Sequence, residues 1–350
     1  MKLNRFSAAM GALATTATTA TIANMAAIAT TVTIATIATL TLAPTLAHAQ
    51  TFPSRPMTYV VPFTPGGTTD VIGRAIANGL SQSLGQPVVI ENKPGAAGGL
   101  GAAVVKNAKP DGYTLLGGTI STHAINAGLY KDLPYDPVKD FEPITLVGFI
   151  PNALYVNPNL GVNTVVEFLA LLKRDEKART FASSGSGTST HLAGELLADR
   201  IGVKLTHIPY KGTPQAFNDV VGGQVAFMFD QLTAGLPLVK GGKLKLLAVT
   251  SGKRSPLSPE TPTMEEAGVR NFQMVSWQAV YAPKGTPKPV IDKLHDEIVK
   301  VLKLPSVSTS LANANGMEIV ASTPDELAKL MQSEIPRWAE LIKTSGAKAD

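Results

Sequence analysis

Two long extended segments constrain this chain more than any other feature. ITLVGFIPNALYVNP (144–158) and NFQMVSWQAVYAP (271–283) both exceed the usual strand of about 5–6 residues. Before the first lies a set of apolar runs alternating with helical periodicity. MTYVVPF (57–63) reads as a buried strand, Thr69 to Leu84 as a helix, PVVIEN and YTLLGG as strands, and GLGAAVVKNA as a helix. Between the two segments the alternation repeats. TFASS (180–184), LTHIPY, QVAFMFD and KLKLLAVT read as strands, with helices from about Thr188 to Arg200 and Pro214 to Val221. The tail from about Lys288 to Lys343 is mainly helical. Strand–helix alternation implies parallel sheets flanked by helices. A chain that leaves one α/β set, builds a second and returns makes two lobes with a hinge and a cleft between them. The expected domains are 50–152 plus 278–350 for the first lobe and 153–277 for the second, with 1–49 set apart.

Residues 6 to 54 carry no Lys, Arg, Asp or Glu, and Lys2 and Arg5 precede them. The tract is mostly Ala, Thr, Ile and Leu and ends in Ala47-His48-Ala49. A basic start, an apolar middle and an A-x-A ending describe a secretory signal peptide, longer here than the usual roughly 15–30 residues. Cleavage after Ala49 is expected, with an uncleaved anchor or a mis-assigned start as the alternatives. The chain has no cysteine, which excludes a disulfide framework. The formal net charge of +5 comes without a Lys/Arg run or aromatic interleaving, so no nucleic-acid partner is expected.

Chemistry concentrates in the glycine loops that follow strands. VPFTPGGTTDVIGR (61–74) turns at Gly66 and Gly67 and enters a helix through Thr68, Thr69 and Asp70. First-turn N–H groups without intrahelical partners, together with the helix dipole, make such a loop an anion site. A plain strand-to-helix turn capped by Thr68, Thr69 or Asp70 is the simpler reading. The missing Lys excludes a Walker loop. SSGSGTSTHL (183–192) repeats the design with Gly185, Gly187 and Thr188. It does not supply G-x-S-x-G, so a serine hydrolase is not indicated. The glycines of ENKPGAAGGLGAA (91–103) miss the Rossmann spacing. HIPYKGTP (207–214) is a third such turn, with Tyr210, Lys211 and Gly212, and Asp230 closes QVAFMFD. His123 and His191 follow strand-end loops and could face the cleft or serve structure. The histidines share no metal spacing, and neither metal nor cofactor is expected.

Taken together, PFTPGGTTD (62–70), VVIENKPGAAGGLGA (88–102), PDGYTLL (110–116), SSGSGTSTHLAGELL (183–197), IPYKGTPQAFNDVVGGQVAFMFD (208–230) and LLAVTSGKRSPLSPETPTMEEAGV (246–269) resemble the solute-binding proteins of tripartite tricarboxylate transporters, the Bug family. The resemblance runs in order through everything after the export tract. It implies a periplasmic, two-lobed type II binding protein that closes on a carboxylated solute. It implies a site of backbone N–H groups, hydroxyls and waters from facing loops. By position these are Phe63, Pro65, Gly66, Gly67, Thr68 and Asp70 in the first lobe. In the second they are Ser183, Ser184, Gly185, Gly187, Thr188, Tyr210, Lys211 and Gly212, with Ser121, His123 and Asp230 as further cleft positions and His191 from its own loop. Asp70 is expected as a cap rather than an acid. A Gly67→Val change is expected to abolish binding. No enzyme activity is expected. The alternatives are a sensor that docks on a kinase and an α/β enzyme, which would need a nucleophile with an oriented base. The receptor is expected to be a monomer that serves a membrane permease.

Overall fold

The computed structural model describes residues 52–348. The expected export tract and its expected cleavage point lie outside them. The first α/β set runs β1 (Met57–Val61), α1 (Thr68–Leu84), β2 (Val88–Asn92), α2 (Gly99–Lys106) and β3 (Thr114–Thr119). A π-helical turn over Ser121–Ile125 then runs into α3 (Asn126–Leu129). The first crossing is β4 (Phe141–Val156). The second set comprises α4 (Val165–Arg174), β5 (Thr180–Ser183), α5 (Ser189–Ile201), β6 (Thr206–Pro209), α6 (Thr213–Val221), β7 (Phe227–Gln231), α7 (Leu232–Lys240) and β8 (Lys245–Val249). The second crossing, β9 (Val275–Pro283), leads to α8 (Lys288–Lys303), α9 (Pro305–Asn315), β10 (Glu318–Ile319) and α10 (Pro324–Ser345).

The strands follow the order β2-β1-β3-β9-β4-β7-β5-β6, with β8 and β10 also on β4. The fold is α/β and two-lobed, and its sheet is mixed. Pairs β1–β2, β1–β3, β5–β6 and β5–β7 are parallel, as strand–helix alternation requires. The crossings break that rule because they return the chain: β9 is antiparallel to β3 and to β4, and β4 to β7 and β8. β4 changes partners midway. Its residues through Pro151 pair with β9, and Asn152 to Val156 pair with β7. One strand therefore belongs to both halves of the sheet.

Helices cover the faces for ordinary amphipathic reasons. In α8 the buried residues are Ile291, Leu294, Ile298, Val301 and Leu302, the spacing of one apolar stripe. Each such side chain contributes about 1.5–3 kcal/mol by burial. α8 lies close on α1, where a Cβ added to Gly79 would come within 2.4 Å of Val301 Cγ1. The last helix, α10, starts with a capping box at Thr323 and Glu326 and buries Leu327, Met331, Trp338 and Ile342. The π-helical turn was not legible as an element in the sequence, and the expected element order lacks α4, although its Thr164 cap accepts from the Glu167 N–H and Val165, Phe168, Leu171 and Leu172 form one apolar stripe.

Candidate functional site

Five strands end toward one place, as strands of open α/β sheets do where ligands bind. Beyond β1, Asp70 fixes the shape of the first loop. Its side chain is buried, and Oδ2 accepts from the Gly66 N–H and from Arg74 Nε, both at 2.9 Å. Asn92 Nδ2 donates to Asp70 Oδ1 at 2.9 Å and to the Phe63 carbonyl at 3.1 Å. Burial pushes the Asp70 carboxyl up, but Arg74, the Gly66 N–H and Asn92 outweigh it and hold it below 3.8. Gly66, at φ +79, takes the left-handed turn, while Gly67, at φ −76, caps α1. A Cβ at Gly67 would meet only the Thr64 carbonyl, at 3.5 Å. The loop lines a cavity with Phe63, Thr64, Gly67, Thr68 and Thr69. Pro65, Gly66 and Asp70 stand behind that wall.

Beyond β5, most amides of the glycine loop are committed within the protein. Ser184 N–H donates to Thr190 Oγ1 (2.9 Å), Gly185 N–H to Ser183 Oγ (3.1 Å) and Gly187 N–H to His191 Nδ1 (3.1 Å). Thr188 N–H donates to the Gly185 carbonyl (3.2 Å). Ser183 Oγ lies 2.6 Å from His207 Nε2. What this loop presents to the cavity is Ser184, Thr188, Ser189 and Thr190, the cap and first turn of α5. Ser183, Gly185, Gly187 and His191 do not line it. His191 is buried and stacked on His207 at 3.9 Å. Because its Nδ1 accepts, its proton sits on Nε2, which is 3.5 Å from Glu195 Oε1. His191 is a prop for the glycine loop.

The third wall is the start of α6, with Lys211, Gly212, Thr213 and Pro214. Tyr210 turns its hydroxyl away, donating to Asp219 Oδ2 at 2.6 Å, and burial followed by Asp219 pushes its pKa up to about 12. The fourth wall is Thr119, Ile120 and Ser121, where β3 enters the π-helical turn. His123, two residues on, points into the core. It is fully buried, stacked on Tyr281 at 3.7 Å and 3°, and burial pushes its pKa down to about 3. The expectation that His123 and His191 reach the cleft is corrected by this geometry: each ring is more stable against aromatic partners than exposed at a loop. The floor is Ser276, Trp277 and Gln278 of β9. No local pattern in the sequence singled these three out, whereas Thr69, Ser189, Thr190 and Thr213 sat beside residues that were.

Asp230 and Gln231 complete the cavity. Asp230 Oδ2 accepts from Thr213 Oγ1 (2.8 Å) and Oδ1 from the Gln231 N–H (2.7 Å). Burial nevertheless pushes this carboxyl up from 3.8 to about 6. The folded chain therefore holds the proton more tightly than the unfolded one. The ionised side chain lowers stability progressively as pH rises through that window, by an amount on the order of 3 kcal/mol once above it. Asp230→Asn is expected to melt higher than wild type, with an advantage that grows from pH 4 to pH 7. A constant advantage across that range in calorimetry would remove Asp230 from the titration.

The lobes touch at both margins of the cavity. Thr68 Oγ1 donates to Gln231 Oε1 on one side. On the other, Tyr130 Oη donates to the Ser186 carbonyl at 3.4 Å, and Gly187 packs against Leu129, Ala97 and Tyr130. The cavity between is small, ≈ 70 Å³. It shares Phe63, Thr64, Ser184 and Lys211 with an outer chamber of ≈ 560 Å³. Among the described residues no cluster of His, Cys, Asp and Glu could hold a metal ion, and no helix is long and apolar enough to cross a membrane.

Residues 72–347 match the tripartite tricarboxylate transporter family receptor. Among solved structures, the periplasmic binding protein BugD is 38% identical with a TM-score of 0.80, over 85% of this chain and 100% of that one. Rpa4515 of R. palustris, with adipate, is 36% identical with a TM-score of 0.81, over 85% and 100%. MatC from Rhodopseudomonas palustris, with bound malate, is 35% identical with a TM-score of 0.77, over 83% and 100%.

Proposed function

The chain belongs to the tripartite tricarboxylate transporter receptor family, and on that premise we propose that it captures a small carboxylated solute between its two lobes and delivers it to a tripartite tricarboxylate-type permease. One observation carries this reading. The starts of α1, α5 and α6 converge on a single cavity edged with hydroxyls, from Thr68 and Thr69, Ser189 and Thr190, and Thr213. First-turn N–H groups lack intrahelical acceptors and carry the positive end of the helix dipole. Three such ends can hold a carboxylate without an arginine. Each charge-assisted bond contributes about 1.5–3 kcal/mol, and micromolar capture needs about 8 kcal/mol. The structures solved with adipate and with malate belong to other members, and they support a carboxylate here.

In this reading the lobes are 50–152 plus 278–350 and 153–277, joined through β4 and β9, and the export tract is removed after Ala49. The protein acts as a monomer. It performs no reaction: His123 and His191 are packed against aromatic rings, and the Ser183 hydroxyl that meets His207 accepts from the Gly185 N–H and does not line the cavity. Asp230 adds a sign: an anion placed beside an ionised Asp230 is repelled, so affinity for a carboxylate is expected to rise as pH falls from 8 to 5. Thermal melting of the chain from Gln50 onward, against a broad panel of organic acids, tests the receptor. A bound acid at 100 times its Kd should add about 2.7 kcal/mol, a shift of roughly 4 °C. No shift with any acid would sink the proposal.

A further inference from the structure

Building on the receptor reading, we propose that the solute is a carboxylate with an aromatic body, an aryl or arylalkyl monocarboxylate, bound head inward. The two connected spaces in the cleft differ in chemistry. The inner cavity is small, polar and faced by helix starts. The outer chamber, eight times its volume, is walled by Phe63, Tyr130, Tyr210, Pro94, Pro209 and the alanines of the Pro94–Gly98 turn. Its two tyrosines do not offer their hydroxyls to a ligand. Tyr130 Oη donates to the Ser186 carbonyl, and Tyr210 Oη donates to Asp219 Oδ2. What they present is ring surface.

Lys211 is the one charged side chain among the described residues that line the chamber, and it is exposed. A second carboxylate placed there would lose hydration with one solvated cation in return, which is unfavourable. An aromatic body loses little hydration and gains edge or offset contacts with Phe63, Tyr130 and Tyr210. The Pro94–Gly98 turn is built to keep an apolar wall. Ala96 and Ala97 both adopt φ 48, a region that glycine reaches at no cost, and Asn126 Nδ2 donates to the Ala97 carbonyl at 3.3 Å to hold the turn. Lys211 belongs to both spaces, so it stands at the neck, where it can pair with the carboxylate head.

Isothermal titration of the mature chain with benzoate, phenylacetate, succinate, malate and citrate tests the proposal. Phenylacetate or benzoate is expected to bind at least about tenfold more tightly than succinate or malate. Tyr130→Ala is expected to weaken the aryl acid at least about fivefold more than it weakens succinate, because the lost margin contact to Ser186 affects both acids and only the lost ring is specific to the aryl acid, while Tyr130→Phe is expected to keep the ratio of aryl to succinate affinity within about twofold. If a variant melts early, chain with wild-type residues and the acid series alone still decides. Tighter binding of succinate, malate or citrate than of either aryl acid overturns the aromatic class and leaves the receptor reading standing. Failure of every acid to bind overturns both.

Discussion

Gly187→Val raises the dissociation constant for the solute at least about 100-fold, the equivalent of about 2.7 kcal/mol. Gly187 sits at φ +82, where a β-branched residue costs on the order of 1–3 kcal/mol. The larger penalty comes from across the cleft. A Cβ at this position would lie 2.6 Å from Leu129 Cδ2 and 3.3 Å from Ala97 Cβ and Tyr130 Cε2. All three neighbours belong to the first lobe, so the collision exists only when the lobes meet. Opening relieves it, and a solute that requires closure must work against it. The unliganded variant should accordingly melt only a few degrees low, while titration calorimetry shows the affinity loss. Gly187→Ala should fall between the two. An affinity within threefold of wild type for the valine variant would mean that this margin does not close on the solute.

Trp277→Ala is the second large effect, here on stability: the expected loss is about 3–5 kcal/mol, or roughly 5–8 °C in melting temperature. Trp277 lies on β9 opposite Phe149 of β4 and is 1% exposed. The residue forms part of the cavity floor, and its Nε1 is 3.4 Å from Glu334 Oε2 on α10. That carboxylate also accepts from Trp338 Nε1 at 2.9 Å, and Arg337 Nη1 donates to Oε1 at 3.0 Å. Truncation opens a void where the crossing strand meets α10 and takes one donor from a buried carboxylate. Trp277→Phe separates the two causes, since it refills most of the volume and removes only the donor. A loss below about 1 kcal/mol for the alanine variant in denaturant unfolding would show that the hinge side repacks freely.

The elements that the sequence made legible share one property: each is decided by neighbours within a few residues. The period of α1 and α8, the Gly66 turn and the apolar runs of β1 and β7 follow from local sterics and from burial of one face. The π-helical turn at Ser121 follows no such local signal, whereas α4 does carry one, a Thr164–Glu167 cap and an apolar stripe at Val165, Phe168 and Leu172. The same division runs through the site. Thr68, Ser184, Lys211 and Gly212 were reachable because a glycine loop announces its own first helical turn. Gly66, Gly185 and Gly187 belong to the same loops, yet two of their three amides serve Asp70 and His191, and the third serves Ser183. Which amide faces the cavity depends on which side chains reach back to the others.

By itself the sequence determined the α/β alternation, the two crossings, the loops that end on a helix start and the family to which these belong. Tertiary structure alone decided that the crossings pair antiparallel, that β9 supplies a cavity floor, and that His123 and His191 turn inward to Tyr281 and His207. It also set Asp230 beside Thr213 with a pKa near 6 and joined a polar inner cavity to an aromatic outer chamber. The reason is physical: local periodicity and turn chemistry act over a few residues, whereas desolvation and ring stacking depend on what the completed fold brings alongside.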